Sequence, residues 1–355
     1  MYPQLTIDVD LIATTTRFIA EDLLSAGISL VGVTKVLDGE PAVGESMLEA
    51  GCCGLGDSRL PSLDRLAGHG LAPLTLIRPP QPDEVRAAAR VADRVLVSHI
   101  AVARALGEHA SGSAVELLLC VDLGDRREGV LPEQAAVVAG RLADLPGTQL
   151  SGIAVNFACL SGLLPSVDLF RQAEDVLAMV ADRCAGEPLL SLGGTCVLPY
   201  MEGYRPRFRT EVRAGAGPVF GSDLVSSVPL AGLEPTPPVI EAAVLESGRK
   251  PPPPDGPCGG DCFGHEPETA LPDGDAVYTL IALGRRDSAP SCLTPLDDGV
   301  RVAGMTSDVA VLITQRVYEP GETVRFALDY EGLVRAVTSP FVERRFVRRE
   351  ADCQR

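Results

Sequence analysis

Along the first two thirds of the chain, short apolar runs alternate with helix-like segments, and this alternation limits the folds open to it. Strand-like runs occupy residues 5–9, 30–35, 54–57, 74–78, 94–98, 115–121, 152–156, 189–194 and 212–215. Between them, residues 10–26, 41–50, 59–68, 82–91, 99–109, 132–143 and 166–184 carry helical patterns. Near-continuous apolar strands separated by helices argue for a parallel sheet covered on both sides. Counted from the run at 30–35, the first barrel-type strand, eight strands in roughly 200 residues fit a (β/α)8 barrel, whose active site lies at the C-terminal ends of its strands. A doubly wound open sheet is the alternative, and the lack of GxGxxG after the first strand counts against its dinucleotide form.

The texture changes after residue 233. Pro235, Pro237, Pro238 and four prolines at 251–254 interrupt the chain, and residues 250–275 read as a loop. Beyond it, residues 277–283, 300–303, 309–314, 323–328 and 333–338 read as short strands. The expected organisation is a barrel over 1–233 and a smaller, mainly β domain over 234–355. A length of 355 residues suits two such domains.

The net charge of −17 disfavours nucleic acid and anionic membranes as partners. No run of about 18 apolar residues predicts a membrane span. The N-terminus lacks a secretory pattern, so a cytoplasmic chain with reduced cysteines is expected. Cys258, Cys262 and His265 have a spacing that suits zinc but no evident fourth ligand, so no metal site is expected.

Three segments carry candidate chemistry. Only two of the 31 basic residues are lysine, and one of them, Lys35, closes an apolar strand. Desolvation at a barrel mouth would disfavour its charge and suit it to condense with a carbonyl; the plainer reading is a lysine that snorkels to water. Val212-Arg213-Ala214-Gly215-Ala216-Gly217, with Gly193-Gly194-Thr195-Cys196 before it, could cradle an anion or simply turn the chain. Asp122-Leu123-Gly124-Asp125-Arg126-Arg127-Glu128 follows an apolar strand and reads, by itself, as a solvated loop with internal ion pairs.

Taken in order, Ile7-Asp8-Val9-Asp10, Gly32-Val33-Thr34-Lys35, Asp57-Ser58-Arg59, Val121-Asp122-Leu123-Gly124-Asp125, Arg127-Glu128-Gly129, Gly193-Gly194, Arg213-Ala214-Gly215 and Thr338-Ser339-Pro340-Phe341-Val342 resemble the alanine racemase superfamily. These are the fold-type III pyridoxal-phosphate enzymes, and the resemblance is closer to the ornithine racemase-like branch. It implies a barrel followed by a β-domain, paired head to tail as a homodimer. It implies that Lys35 is the Schiff-base lysine and one acid/base group, and that Arg213 faces the pyridine nitrogen. Arginine does not readily give up a proton, so that nitrogen should stay unprotonated. Arg127 would lie near the cofactor phenolate and the substrate carboxylate, and Asn156 would stand where alanine racemases place a histidine.

The departures are equally specific. The family's partner-subunit tyrosine is missing from Gly284-Arg285-Arg286-Asp287-Ser288. The family's phosphate-loop serine position falls on Thr195 or Cys196, and the phosphate should be held more by backbone groups near Gly194, Gly215 and Ala216. A second proton carrier is needed on the other face of the substrate. Cys159 is the candidate, with Tyr200 a weaker one, and Asp308 is the candidate substrate contact from a partner's β-domain. The expected activity is a pyridoxal-phosphate-dependent racemase or epimerase of ornithine or another polar amino acid. The alternatives are a decarboxylase, aldolase or lyase of the same fold, or a non-catalytic cofactor-binding protein.

Overall fold

Strand β1 (Gln4–Asp8) leads into helix α1 (Val9–Ser25), and the chain then enters a closed parallel barrel. Its strands, in sequence order, are β2 (Ile28–Val33), β3 (Gly54–Asp57), β4 (Leu74–Leu76), β5 (Arg94–Val97), β6 (Val115–Cys120), β7 (Thr148–Asn156), β8 (Leu189–Gly193) and β9 (Arg209–Ala214). Closure is made by β9 against β2, with Ile28 opposite Thr210 and Gly32 opposite Ala214. Helices α2 (Pro41–Glu49), α3 (Leu60–Gly68), α4 (Val85–Val91), α5 (Ile100–His109), α6 (Pro132–Ala143) and α7 (Val167–Val180) connect successive strands. The computed structural model describes residues 3–226, 228–230, 232–252, 256, 257, 259–261, 263, 264, 272 and 274–348.

The barrel strands bury both faces, which is why they read as unbroken apolar runs: every residue of β3 and β8 is buried. The helices bury one stripe each. On α7, Phe170, Ala173, Val176, Leu177 and Val180 recur at helical spacing, and Ser166 caps the helix by accepting from Leu169 N. Each such large apolar side chain contributes about 1.5–3 kcal/mol on burial.

The chain divides into two compact units, Val9–Thr236 and Met1–Asp8 with Pro237–Arg355. The barrel unit ends with a short helix, α8 (Ala216–Phe220), and a hairpin of β10 (Ser222–Asp223) and β11 (Val228–Pro229). The β-unit contains β12 (Val239–Lys250), β13 (Ala276–Ile281), β14 (Leu293–Pro295), β15 (Arg301–Met305), β16 (Ala310–Thr314), β17 (Thr323–Leu328), α9 (Tyr330–Thr338) and β18 (Glu343–Val347). β12 organises it, pairing with β17 over its first half and β13 over its second, with a register shift between Val244 and Glu246.

Three differences from the sequence reading stand out. Strand β1 belongs to the β-unit, because it pairs parallel to β18 and antiparallel to β12. The unit boundary falls after 236 rather than 233. Residues 333–338 are helical: Asp329 caps α9 by accepting from Gly332 N, and Gly332, Leu333, Ala336 and Val337 form its buried stripe. Among the described residues no helix is long and apolar enough to cross a membrane. Cys258, Cys262 and His265 lie outside the described residues.

Candidate active site

The barrel's topology puts the ends of β2, β3, β6, β7, β8 and β9 at one mouth, and the sequence-derived barrel residues lie there. At the end of β2, Thr34 precedes a single 3-10 turn, Lys35–Leu37, which closes on Asp38 in the left-handed region (φ 55°). Arg65 pins this turn by bonding both the Asp38 carbonyl and, at 3.2 Å, its carboxylate. Thr34 Oγ1 donates to Asp57 Oδ2 at 2.9 Å, and Asp57 Oδ1 accepts from Arg59 N at 2.9 Å. Asp57 is fully buried, and burial raises its pKa against the opposing pull of those donors and the Lys35 charge. Lys35 itself is exposed, so the expected desolvation of its amine is not found in the single chain. Lys35 is the first residue of the 3-10 turn, two positions beyond the end of β2, rather than part of the buried strand.

A second group spans β7, β8 and β9. Asn156, Gly193 and Arg213 occupy one register row. Arg213 Nη2 donates to Asn156 Oδ1 at 2.7 Å and to Val155 O at 3.3 Å. The two side chains meet over Gly193, where a Cβ would lie 1.9 Å from Asn156 Oδ1 and 2.3 Å from Arg213 Nη2. Arg213 has only donors, so the amide must turn its oxygen toward it. Asn156 Nδ2 then donates to Glu128 Oε1 at 2.6 Å, and Glu128 is paired with Arg127. Bonding to Glu128 raises the Arg127 pKa. Full burial lowers that of Arg213, opposed by Glu211, Cys120 and Glu128.

On the third side, Gly194 has φ +99° and donates its N–H to Arg213 O at 3.0 Å. Thr195 Oγ1 accepts from Gly217 N at 2.9 Å. A Cβ at Gly215 would sit 2.6 Å from Val33 O. Gly215 precedes α8, which starts at Ala216. The Cys196 thiol instead donates to Phe157 O at 3.3 Å, and burial pushes it up to about 12. Beside it, Ala158 is left-handed (φ 54°) and Cys159 is exposed. Partial burial raises the Cys159 pKa while the charges of Arg127 and Lys35 pull it down. Asp125 holds this loop: Oδ1 accepts from Leu160 N at 2.9 Å, while the buried Oδ2 has no hydrogen-bond partner among the described residues and lies 4.0 Å from Arg127 Nε. Tyr200 ends the 3-10 segment Thr195–Tyr200, half-buried, outside these hydrogen bonds.

Asp308 belongs to the β-unit. Its side chain is largely exposed, accepts from Ser307 Oγ at 2.7 Å and lies 3.7 Å from Arg286, whose guanidinium covers the Phe341 ring at 4.6 Å. The 284–288 segment is fixed by Asp287, which accepts from Gly284 N and from Ser339 Oγ.

The sequence reading gave no role to Thr34, Asp57, Glu128, Ser191 or Glu211. A signal existed for the last: Glu211 and Arg213 are two apart, on one face of a buried strand.

The family model described as alanine racemase, N-terminal domain, matches residues 7–222. The chain is 32% identical over 351 residues to a lysine racemase of Thermotoga maritima, covering 97% of this chain and 98% of that one. It is 25% identical over 352 residues to an ornithine racemase of Acetoanaerobium sticklandii, covering 97% and 99%. An alanine racemase structure from Streptomyces lavendulae superposes with a TM-score of 0.73 at 20% identity over 98% of each chain, a likeness of fold. The chain belongs to the alanine racemase family, as an amino acid racemase whose substrate that membership leaves open.

Proposed function

We propose that the chain is a pyridoxal-phosphate-dependent racemase of a diamino acid. The observation that carries this reading is the pairing of β2 with β9, which sets Lys35 and Arg213 at adjacent strand ends of one mouth. The residues present fit the cofactor: an exposed primary amine, a buried guanidinium, and a wall of small residues with one hydroxyl. Bound there, pyridoxal phosphate supplies an electron-withdrawing ring that acidifies the substrate Cα–H.

Lys35 would hold the cofactor and carry the Cα proton on one side. Arg213 would face the ring nitrogen and keep protons from it. Asn156 orients Arg213, and Arg127 would receive the substrate carboxylate with a guanidinium that stays charged. Thr195 takes the Gly217 N–H on its oxygen, so its own proton is left for the phosphate. Cys196 spends its thiol on Phe157 and Gly194 spends its N–H on Arg213, so we assign both to shaping the pocket. Gly215 and Ala216 leave room beside them. We assign the second proton to Cys159, whose raised pKa keeps it a donor at neutral pH.

The two relatives that match over nearly the full length bear the names of diamino acid racemases, which supports a substrate with a cationic end. Asp125 Oδ2, and Asp308 from a second copy in a head-to-tail homodimer, would accept that ammonium. The acidic composition suits a cytoplasmic enzyme. The test is Cα–H exchange in D2O with lysine and ornithine, followed by chiral analysis. Exchange and a visible absorbance band of bound cofactor are expected in the wild type, and both should vanish in Lys35→Ala. A wild type that exchanges neither amino acid while holding the cofactor would sink the substrate assignment.

A further inference from the structure

Charge continues below Arg213, into the closed part of the barrel. Glu211 lies two residues earlier on β9 and on the same face, about 6.6 Å along the strand. Its side chain is buried, and it accepts from Arg94 Nη1 at 3.0 and 3.3 Å. Arg94 lies on β5, four strands from β9 in either direction around a barrel of eight, so this ion pair crosses the barrel interior. Arg94 Nε in turn donates to Glu116 Oε2 at 3.0 Å on the adjoining strand β6.

Ser191, opposite Glu211 on β8, joins this file to the mouth. It receives a hydrogen bond from Arg213 Nη1 and bonds Glu211 Oε1 at 2.6 Å. The direction is forced: a guanidinium only donates, so Ser191 must give its single proton to Glu211. The file Glu116, Arg94, Glu211, Arg213 therefore alternates in sign and sums to zero.

We propose that Glu211, acting through Ser191, is a positioning residue for Arg213 that holds its guanidinium charged and aimed at the mouth. Removing a charge from water costs several kcal/mol unless a partner offsets it, and apolar side chains of equal volume would fill the barrel at similar stability. The charged file is thus poorly explained by stability alone. It is explained by Arg213, which is fully buried and has burial working against its charge while Glu211 works for it. Among the described residues, the mouth side supplies Arg213 with the neutral oxygens of Asn156 and Val155 as direct acceptors. The inference rests on the reading that Arg213 faces the cofactor ring.

The experiment titrates pyridoxal phosphate into the cofactor-free full-length protein, measuring its Kd and, at saturation, the visible circular dichroism of the bound cofactor. Ser191→Ala keeps every charge. It should raise the Kd about tenfold and at least halve the induced ellipticity, while moving the cofactor-free melting midpoint by only about 2–4 °C. Glu211→Gln should raise the Kd further. If Glu211 works through Ser191, the double variant should bind no more weakly than Glu211→Gln alone. An unchanged Kd and ellipticity in Ser191→Ala, or strictly additive losses, would overturn the proposal. Arg213→Ala separates the two readings: if it binds like the wild type, the cofactor reading fails first, whereas a defect there with normal Ser191→Ala sinks only the Glu211 inference.

Discussion

The two units handle buried polarity in opposite ways. Among the described residues, the barrel unit buries Asp57, Asp125, Glu174, Glu211, Arg213 and Asp223. The β-unit buries one carboxylate, Asp287, and otherwise hydroxyls and Gln4. Its interior ladder is neutral: Ser247 and Thr279 are 2.7 Å apart, Thr279 and Thr314 2.9 Å, and Thr314 donates to Arg316 O at 2.8 Å. Several of its ion pairs, such as Arg316–Glu322 and Arg335–Glu331, lie at the surface, where each is worth at most about 1 kcal/mol. A buried charge is costly when its partner is lost, whereas a neutral hydroxyl ladder is forgiving. The barrel therefore accepts a liability that the β-unit largely avoids, and Asp57, Asp125, Glu211 and Arg213 carry it at or just below the proposed site.

The sharpest way to break that contrast is Gly193→Ala. The new methyl would overlap Asn156 Oδ1 and Arg213 Nη2, so one of them must leave. Cα–H exchange should fall at least hundredfold, a barrier change of about 2.7 kcal/mol, with the far-ultraviolet dichroism intact. An active alanine variant would show that the Asn156–Arg213 contact is dispensable.

Glu174 tests the same contrast away from the mouth. It is fully buried and accepts from Arg171, Tyr204 Oη, Arg207 N and Arg207 Nε. Burial pushes its pKa up, but these donors outweigh burial and hold it below the usual 4.5. A depressed folded pKa adds stability above the unfolded value, and that stability is lost as pH falls through the folded one. Glu174→Gln should cost about 3 kcal/mol near neutrality, read by urea unfolding, and should flatten the acid limb below pH 4.5. Cα–H exchange by the folded fraction should stay within about twofold.

In the β-unit, Thr279→Val removes the middle hydroxyl of the ladder. Its neighbours keep other partners, since Ser247 Oγ accepts from Tyr318 N and Thr314 donates to Arg316 O. The expected loss is about 1 kcal/mol, with no change in exchange. A loss as large as that of Glu174→Gln would erase the distinction between the units.

The same contrast explains what the sequence disclosed. The barrel strands were legible because burial of both faces leaves an unbroken apolar run, and Val115–Cys120 is the clearest case. Lys35 stood out as a rare lysine closing an apolar strand and Arg213 as part of a glycine-rich stretch, whereas Arg127 and Asn156 were singled out only through the family resemblance. β12 was missed because its second half, with Glu246, Arg249 and Lys250, is half-exposed and polar. The membership of β1 depends on backbone pairing with residues more than 230 positions away, which no local pattern encodes. In α9, Leu333-Val334-Arg335-Ala336-Val337 is a short, largely apolar run that resembles a strand, whereas the Asp329 cap and the buried stripe of Gly332, Leu333, Ala336 and Val337 belong to a helix. Glu211 and Ser191 looked like ordinary alternation, because the cross-barrel partner Arg94 appears only on closure.

The smallest effect concerns the mouth itself. Ala158 holds φ 54°, a conformation costing an L-residue with a Cβ about 1–2 kcal/mol. Glycine adopts it freely but gives up about 0.5–1 kcal/mol in unfolded-chain entropy. Ala158→Gly should therefore stabilise the protein by about 0.5 kcal/mol, seen as a small rise in melting midpoint. The same change frees the backbone beside Cys159, in a loop pinned by the Asp125 contacts to Leu160 and Ser161. If Cys159 carries the second proton, exchange at Cα should persist through Lys35 while full inversion slows a few-fold, so the ratio of exchange to racemisation rises. A variant that is more stable with that ratio unchanged would move the second proton away from Cys159.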